Sequence, residues 1–270
     1  MSFSTHPKEM FASFWRYRGL LYQLIKRDIL GRYKRSSMGL LWVVLSPLLM
    51  LTMYTVVFGV ILQVRWPGVD NCLMYSLILY IGLTIFTFFS ECLSAAPNLI
   101  ASKSHLVKKI IFPLEIYPLV PIGSACFFAL INTFLSCIYC YFVLGTVHLT
   151  ALFLPILYLP LVFLTIGLSW IFCSLGILIS DIEHVMRFLL RIALYLSPVF
   201  YSIKKIPPEF QPYLFINPLT YIIEQAREMM VFGVLPDLSS FLLYFSFCLG
   251  CSYLGFYWFQ TTREEFAEIL

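Results

Sequence analysis

Hydrophobic positions along this chain fall into long blocks, with the polar residues gathered between them. A helix needs about 20 apolar residues to cross about 30 Å of hydrocarbon. Six segments meet or approach that length: Leu40–Val64, Cys72–Ser94, Leu114–Leu144, Ala151–Ile179, Val185–Tyr201 and Leu238–Phe259. The third and fourth are long enough to tilt or to project beyond the bilayer. Pro118, Pro121, Pro155 and Pro160 sit near their starts, where a missing backbone donor costs least. The fifth is short and ends at Ser197-Pro198.

The stretches between the blocks carry periodicities of their own. From Phe11 to Leu30, Phe14, Tyr17, Leu21, Ile25 and Ile29 recur every three or four residues among Arg16, Arg18, Gln23, Lys26 and Arg27. That pattern predicts an amphipathic helix lying in the membrane interface. Pro97 and Pro113 bracket a segment where Ile100, Leu106, Val107, Ile110 and Ile111 alternate with Lys103, Lys108 and Lys109, which predicts a second surface helix of about ten residues. Farther on, Ser180 or Asp181 is placed to cap a helix, with Glu183 in its first turn.

The connection Tyr201–Asp237 is longer than ordinary loops, and its composition is not that of a disordered segment. Pro207, Pro208 and Pro212 break its first part, and Asn217-Pro218 then reads as an N-cap followed by Pro at the first helical position. Leu219, Ile222, Ile223, Ala226, Met229 and Met230 form an apolar face opposite Glu224, Gln225, Arg227 and Glu228. About 12 residues make roughly 18 Å of helix, too short to span. The pattern predicts a hairpin dipping in from the outer side, where protein or water must surround its irregular backbone. The expected fold is thus an all-α integral membrane protein. It has six transmembrane helices, an N-terminal amphipathic interface helix, and an outer re-entrant helical hairpin between helices five and six. Residues 1–39 are the N-terminal segment and 40–270 the transmembrane domain, with the hairpin at 201–237.

Composition agrees: 60% of residues are hydrophobic and 12% charged, where a soluble chain carries about 25% charged residues. The placement of charge adds orientation. With the N-terminus inside, the inner segments hold Lys8, Arg16, Arg18, Lys26, Arg27, Arg32, Lys34, Arg35, Lys103, Lys108, Lys109, Arg187, Arg191 and Arg263. The outer segments hold only Arg65, Lys204, Lys205 and Arg227, so both termini are expected in the cytoplasm. The cluster Lys26–Arg35, set directly against the first apolar block, pins that span.

Several chemistries find no footing. No G-x-x-x-x-G-K-[ST] sequence cradles nucleotide phosphates. His6, His105, His148 and His184 lie far apart, and the pairs Cys137/Cys140 and Cys248/Cys251 sit inside apolar runs, where they read as small buried residues, so no metal site is expected. Glu91, the most embedded acid, lies close to the inner end of the second span and reads as interfacial. Two matching halves with broken helices, the mark of many secondary transporters, are not evident. Transport energised from outside the chain is the reading that remains. A membrane-embedded glycan-modifying enzyme would need convergent polar residues, and a passive channel or scaffold would not need docking helices.

Three stretches, KRDILGRYKRSSMGLLWVVLSPLLM at 26–50, SPVFYSIKKIPPEF at 197–210 and INPLTYIIEQAREMMVFG at 216–233, carry a resemblance. In them Arg27-Asp28, Arg32-Tyr33, Gly39, Trp42, Pro47, Asn217-Pro218 and Arg227 match the pattern of the type-2 ABC export permeases for bacterial surface polysaccharides, which include O-antigen, capsule and teichoic-acid exporters. The resemblance implies a subunit of the bacterial inner membrane that pairs with a second copy and binds two separately encoded ATPase subunits, which hold the ATP and Mg. It implies a polyprenyl-linked polysaccharide as cargo, O-antigen foremost, with membrane lipids as surroundings and no nucleic acid. A drug or lipid is the alternative cargo. ATPase coupling is expected at Ser102, Lys103, His105, Lys108, Asp181, Glu183 and His184. Channel-lining aromatics are expected at Trp42, Tyr54, Phe58, Tyr80, Phe86 and Tyr195, and an outer gate at Pro207, Pro208, Asn217, Pro218, Glu224 and Arg227. Arg27, Arg32 and Arg35 stand where they meet anionic headgroups and the pyrophosphate of the cargo.

Overall fold

The computed structural model describes residues 6–34, 36–63, 66–67, 71–102, 113–179, 181–263 and 266, and the regular structure among them is helical. Two helices come first, α1 (Pro7–Arg16) and α2 (Arg18–Tyr33). The single amphipathic helix expected over Phe11–Leu30 is therefore divided: Tyr17 leaves helical geometry (φ −104°, ψ 15°). The break lets each part find its own partner. Phe14 of α1 lies 6.2 Å from the Trp170 ring, while Ile25 of α2 fills the notch at Gly123, where an added Cβ would meet its Cδ1 at 2.2 Å.

The first span is a 3-10 turn (Gly39–Leu41), α3 (Trp42–Tyr54) and a π-helical stretch (Thr55–Ile61). Then follow α4 (Cys72–Ala101), α5 (Leu119–Leu144), α6 (Leu154–Leu178) and α7 (Ile182–Leu196). The hairpin contributes α8 (Gln211–Leu214) and α9 (Pro218–Arg227), and α10 (Leu238–Thr262) closes the bundle. Among the described residues, five segments are long and apolar enough to cross a membrane: Gly39–Ile61, Leu73–Ala101, Leu114–Leu144, Leu149–Leu178 and Leu238–Thr262.

The expected fifth segment, Val185–Tyr201, is not one continuous helix. α7 has 15 residues, roughly 22 Å at 1.5 Å per residue, and ends where Ser197 turns extended (φ −80°, ψ 143°). Pro198 disfavours helical geometry in the residue before it. Pro97, by contrast, does not end the second span, which continues through it to Ala101. Packing against α6 holds the helix there: the Cys173 thiol donates to the Ala96 carbonyl at 3.0 Å, and a Cβ at Gly176 would meet the Pro97 carbonyl oxygen at 2.0 Å. The surface helix expected between Pro97 and Pro113 falls mostly on 103–112, outside the described residues.

α4 is the centre of the molecule, packed by α5, α6, α7 and α9. α6 and α10 approach to backbone contact, since a Cβ at Gly255 would meet the Gly167 carbonyl oxygen at 2.1 Å. Lipid gives apolar side chains no reason to prefer each other, so such close approach through small residues is what joins helices in a membrane. One end of the bundle gathers α1, α2, the last turns of α4 and α10, and the start of α7. There Glu115 and Arg263 pair at 2.7 Å, and Asn98 donates to Glu183. At the other end Ser76 and Tyr139 share a hydrogen bond of 2.7 Å, and the Tyr75 hydroxyl donates to the Phe200 carbonyl at 3.3 Å.

Candidate functional site

Two places concentrate polar groups against this apolar frame. The first is a groove of about 270 Å3 between α3, α4 and α5. Aromatic faces come from Trp42, Tyr54 and Tyr80, and hydroxyl and amide groups from Ser46, Thr84, Thr87 and Asn132. Tyr80 donates to the Asn132 side-chain oxygen at 3.0 Å, so the amide nitrogen of Asn132 is turned away from that bond. Pro47 also lines the wall, inside α3. Toward the end with the termini, the charged residues that line the groove among the described residues are Arg32 and Glu91. They pair through Nη1 and Oε2 at 3.2 Å, with side chains 33% and 36% exposed. Arg32 also contacts Asp28 (Nε to Oδ2, 3.4 Å), one turn earlier on α2, and lies 4.9 Å from the Phe128 ring centroid.

The second place is the hairpin. Asn217 caps α9, accepting from the Leu219 amide at 3.0 Å while donating to Ser197 Oγ at 2.9 Å. Leu219, Ile222, Ile223, Ala226, Met229 and Met230, the expected apolar face, are each at most 2% exposed. A π-helical turn (Glu228–Phe232) follows, and Gly233 ends it with φ +69°, a conformation a side chain rarely adopts. Thr150 donates to the Met229 carbonyl at 2.5 Å and the Cys140 thiol to the Met230 carbonyl at 3.4 Å, fastening the turn to α5 and the loop after it.

Arg227 departs from expectation. The sequence sets it opposite the apolar face with Glu224, Gln225 and Glu228, yet it is 3% exposed. Its guanidinium donates from Nε to the Ile78 carbonyl (3.2 Å), from Nη1 to the Pro198 carbonyl (2.6 Å) and from Nη2 to the Val199 carbonyl (2.8 Å). Nη1 also reaches Glu224 Oε1 at 2.8 Å, and Trp66 covers the group with its ring centroid 4.7 Å away. Gly82 makes the room: a Cβ there would stand 2.8 Å from Nη2. Burial lowers the Arg227 guanidinium from its ordinary value, and the charge of Glu224 opposes that. Burial likewise raises the Glu224 carboxyl, with Arg227 pulling it down. The broken turn at 197–199 and α4 leave carbonyls free of helix bonds or doubly accepting, and the arginine fork satisfies them together.

The other expected residues are spread more widely. Phe58 packs on Phe200 at 5.9 Å, Phe86 is buried in the core, and Tyr195 is exposed on α7; none of the three lines the groove. Pro207 and Pro208 lie exposed in the hairpin's first turn. Asp181 occupies the N-cap position of α7, but its side chain makes no capping hydrogen bond. Glu183 pairs with Arg187 at 2.9 Å besides accepting from Asn98, and His184 Nδ1 lies 3.0 Å from Arg187. Ser102 stands just past the end of α4. Arg27 is exposed on α2, whereas Arg35, Lys103, His105 and Lys108 lie outside the described residues. Sequence reasoning missed Ser46, Thr84, Thr87 and Asn132; a lone Asn within an apolar span was the available signal.

Comparison with known proteins places this geometry. The profile of the ABC-2 type transporter family matches residues 19–231. The chain is 26% identical to the O-antigen export system permease protein RfbA of Myxococcus xanthus over 258 residues, covering 94% of this chain and 96% of that protein. It is 28% identical to an RfbA of Klebsiella pneumoniae over 255 residues, covering 93% and 95%. It is 25% identical to the polysialic acid transport protein KpsM of Escherichia coli over 251 residues, covering 90% and 92%. The chain belongs to the ABC-2 type transporter family, as a membrane subunit that carries no ATPase domain.

Proposed function

We propose that the chain moves a polyprenyl-pyrophosphate-linked polysaccharide, O-antigen foremost, across the cytoplasmic membrane, working as one of two copies with two ATPase subunits. The observation that carries the reading is the groove. It offers flat aromatic faces beside hydroxyl and amide groups, the combination that meets the apolar faces and hydroxyls of sugar rings. Its two charges neutralise each other, which suits an uncharged glycan better than a polyanion. The similarity to permeases named for O-antigen export agrees. Capsule and teichoic-acid chains are the nearest alternative cargoes, and the similarity to proteins named for polysialic acid transport and capsule polysaccharide export favours the first.

The bias of basic residues toward one set of segments supports cytoplasmic termini. On that side, the Asn98–Glu183 contact joins the end of α4 to the start of α7, so the two can receive an ATPase as one platform. Ser102, Asp181 and His184 share that surface, and the hairpin is the outer gate. The test is ATP hydrolysis and glycan transfer by the permease reconstituted in liposomes with its ATPase. Polyprenyl-linked glycan should stimulate hydrolysis, and Trp42→Ala with Tyr54→Ala should abolish most of the stimulation while the complex still assembles. A complex indifferent to glycan would overturn the cargo; failure to bind an ATPase would overturn the platform.

A further inference from the structure

We propose that the Arg32–Glu91 ion pair is a latch between two cavities, opened when the pyrophosphate of a polyprenyl-linked cargo replaces Glu91 on Arg32. The proposal rests on the export reading above and adds to it a displaceable internal anion, Glu91. Beside the groove lies a second cavity, about 300 Å3, walled by α2, the inner part of α4 and the start of α5, with Arg27 and Asp28 among its lining. Among the described residues, Arg32 is the one that lines both. Arg32 therefore stands in the partition between a pocket at the membrane interface that also holds Arg27 and the polar groove that Glu91 lines.

The partners of Arg32 divide the labour. Asp28, on the same helix, contacts Nε, and the Phe128 ring supports the planar face; both stay in place whatever happens at Nη1. Glu91, from α4, contacts Nη1. That contact is single, 3.2 Å long and about one-third exposed, and pairs of this kind stabilise by only about 0–1 kcal/mol. A pyrophosphate brings more charge and several acceptor oxygens, and the arginine fork takes two of them at once. Exchange of Glu91 for pyrophosphate is thus favourable, while a neutral lipid has nothing to offer Arg32 and leaves the latch closed. Exposed Arg27, one turn and a half before Arg32 on α2, adds positive charge to the pocket through which the phosphates arrive.

The experiment is binding by the full-length protein in lipid nanodiscs, titrated with a polyprenyl pyrophosphate bearing no sugar. If Glu91 competes for Arg32, Glu91→Gln lowers the half-saturating concentration by about fivefold, the equivalent of an ion pair of this exposure. Glu91→Asp, whose shorter side chain loosens the same contact, shifts it the same way by less and guards against misfolding of the Gln variant. Arg32→Gln weakens binding tenfold or more. Unchanged or weaker binding in Glu91→Gln would mean that Glu91 only orients Arg32, and would overturn the latch. So would an equal effect of Glu91→Gln on binding of the uncharged polyprenol. Inorganic pyrophosphate separates the two sources of the same anion, and half-saturation equal to that of the lipid would overturn cargo entry through the interface. Because no transport is measured, this outcome is independent of whether glycan stimulates ATP hydrolysis.

Discussion

Two arginines, one toward each end of the bundle, show how burial and partner number divide anchoring from exchange. Arg227 is 3% exposed, and its donors meet three backbone carbonyls and one carboxylate. Every one of those acceptors is fixed by folded backbone or by the preceding turn of the same helix. Arg32 is one-third exposed, and across to α4 it meets one side-chain carboxylate, Glu91, which can swing away toward water. The first arginine joins the hairpin, the turn after α7 and α4 into one body. If the hairpin opens, it moves with those elements or about Gly233, and not by releasing Arg227. The second arginine holds two helices through a contact cheap enough to trade.

The comparison breaks most sharply at Arg227. Replacement by Met leaves three carbonyls and Glu224 without their donor, and removing one member of a buried charged pair costs about 3–5 kcal/mol. Denaturant or thermal unfolding in detergent should show that loss, with Lys restoring little because an ammonium cannot span the same acceptors. The matching change, Arg32→Gln, should cost about 0–1 kcal/mol in the same measurement. Equal losses at the two sites would erase the distinction between anchor and latch. Gly82→Ala should fall between them. Its Cβ intrudes to 2.8 Å from Nη2, and overpacking of this sort costs about 1–3 kcal/mol. The same alanine at Gly250, where an added Cβ meets nothing within 4 Å, should leave the unfolding midpoint nearly unchanged.

How far each arginine was legible in sequence follows from the same physics. Apolar block length announced six membrane-spanning segments, and five of them stand as long apolar helices among the described residues, because hydrocarbon thickness acts on each helix separately. The hairpin's cap and apolar face were equally plain, since Asn217, Pro218 and the spacing from Leu219 to Met230 are local signals. Arg227 was placed only on the polar face of its helix, because its burial depends on Gly82 and Ile78, far away in the chain. Pro97 looked like a boundary for the same reason: its helix is sustained by contacts from Cys173 and Gly176 on another span. The aromatics of the groove divide likewise. Trp42, Tyr54 and Tyr80 face it, but Phe86 on the same helix as Tyr80 turns into the core. Composition marks all of them alike, and only helix packing sorts them.

A third charged group sharpens the comparison by holding many bonds without burial. Asp237 begins α10, and its Oδ2 accepts from Ser239 Oγ, from the Ser240 amide at 3.0 Å and from Ser240 Oγ at 3.0 Å. Those bonds hold the carboxyl below its ordinary range. A carboxylate whose folded pKa is depressed stabilises the fold above its unfolded pKa, about 3.9, and the contribution is lost as pH falls through the folded value. Amide exchange at Ser240, corrected for its intrinsic pH dependence, should therefore quicken as pH is lowered from about 5 to below that ordinary value. Asp237→Asn keeps an acceptor at the cap but cannot titrate, so its profile should be flat over the same range. The effect should be the smallest of the series and confined to the first turn of α10, because water stands ready to replace every bond that Asp237 gives up. Arg227 has no such substitute at hand, and that difference, more than the number of bonds, sets the distance between the two ends of the scale.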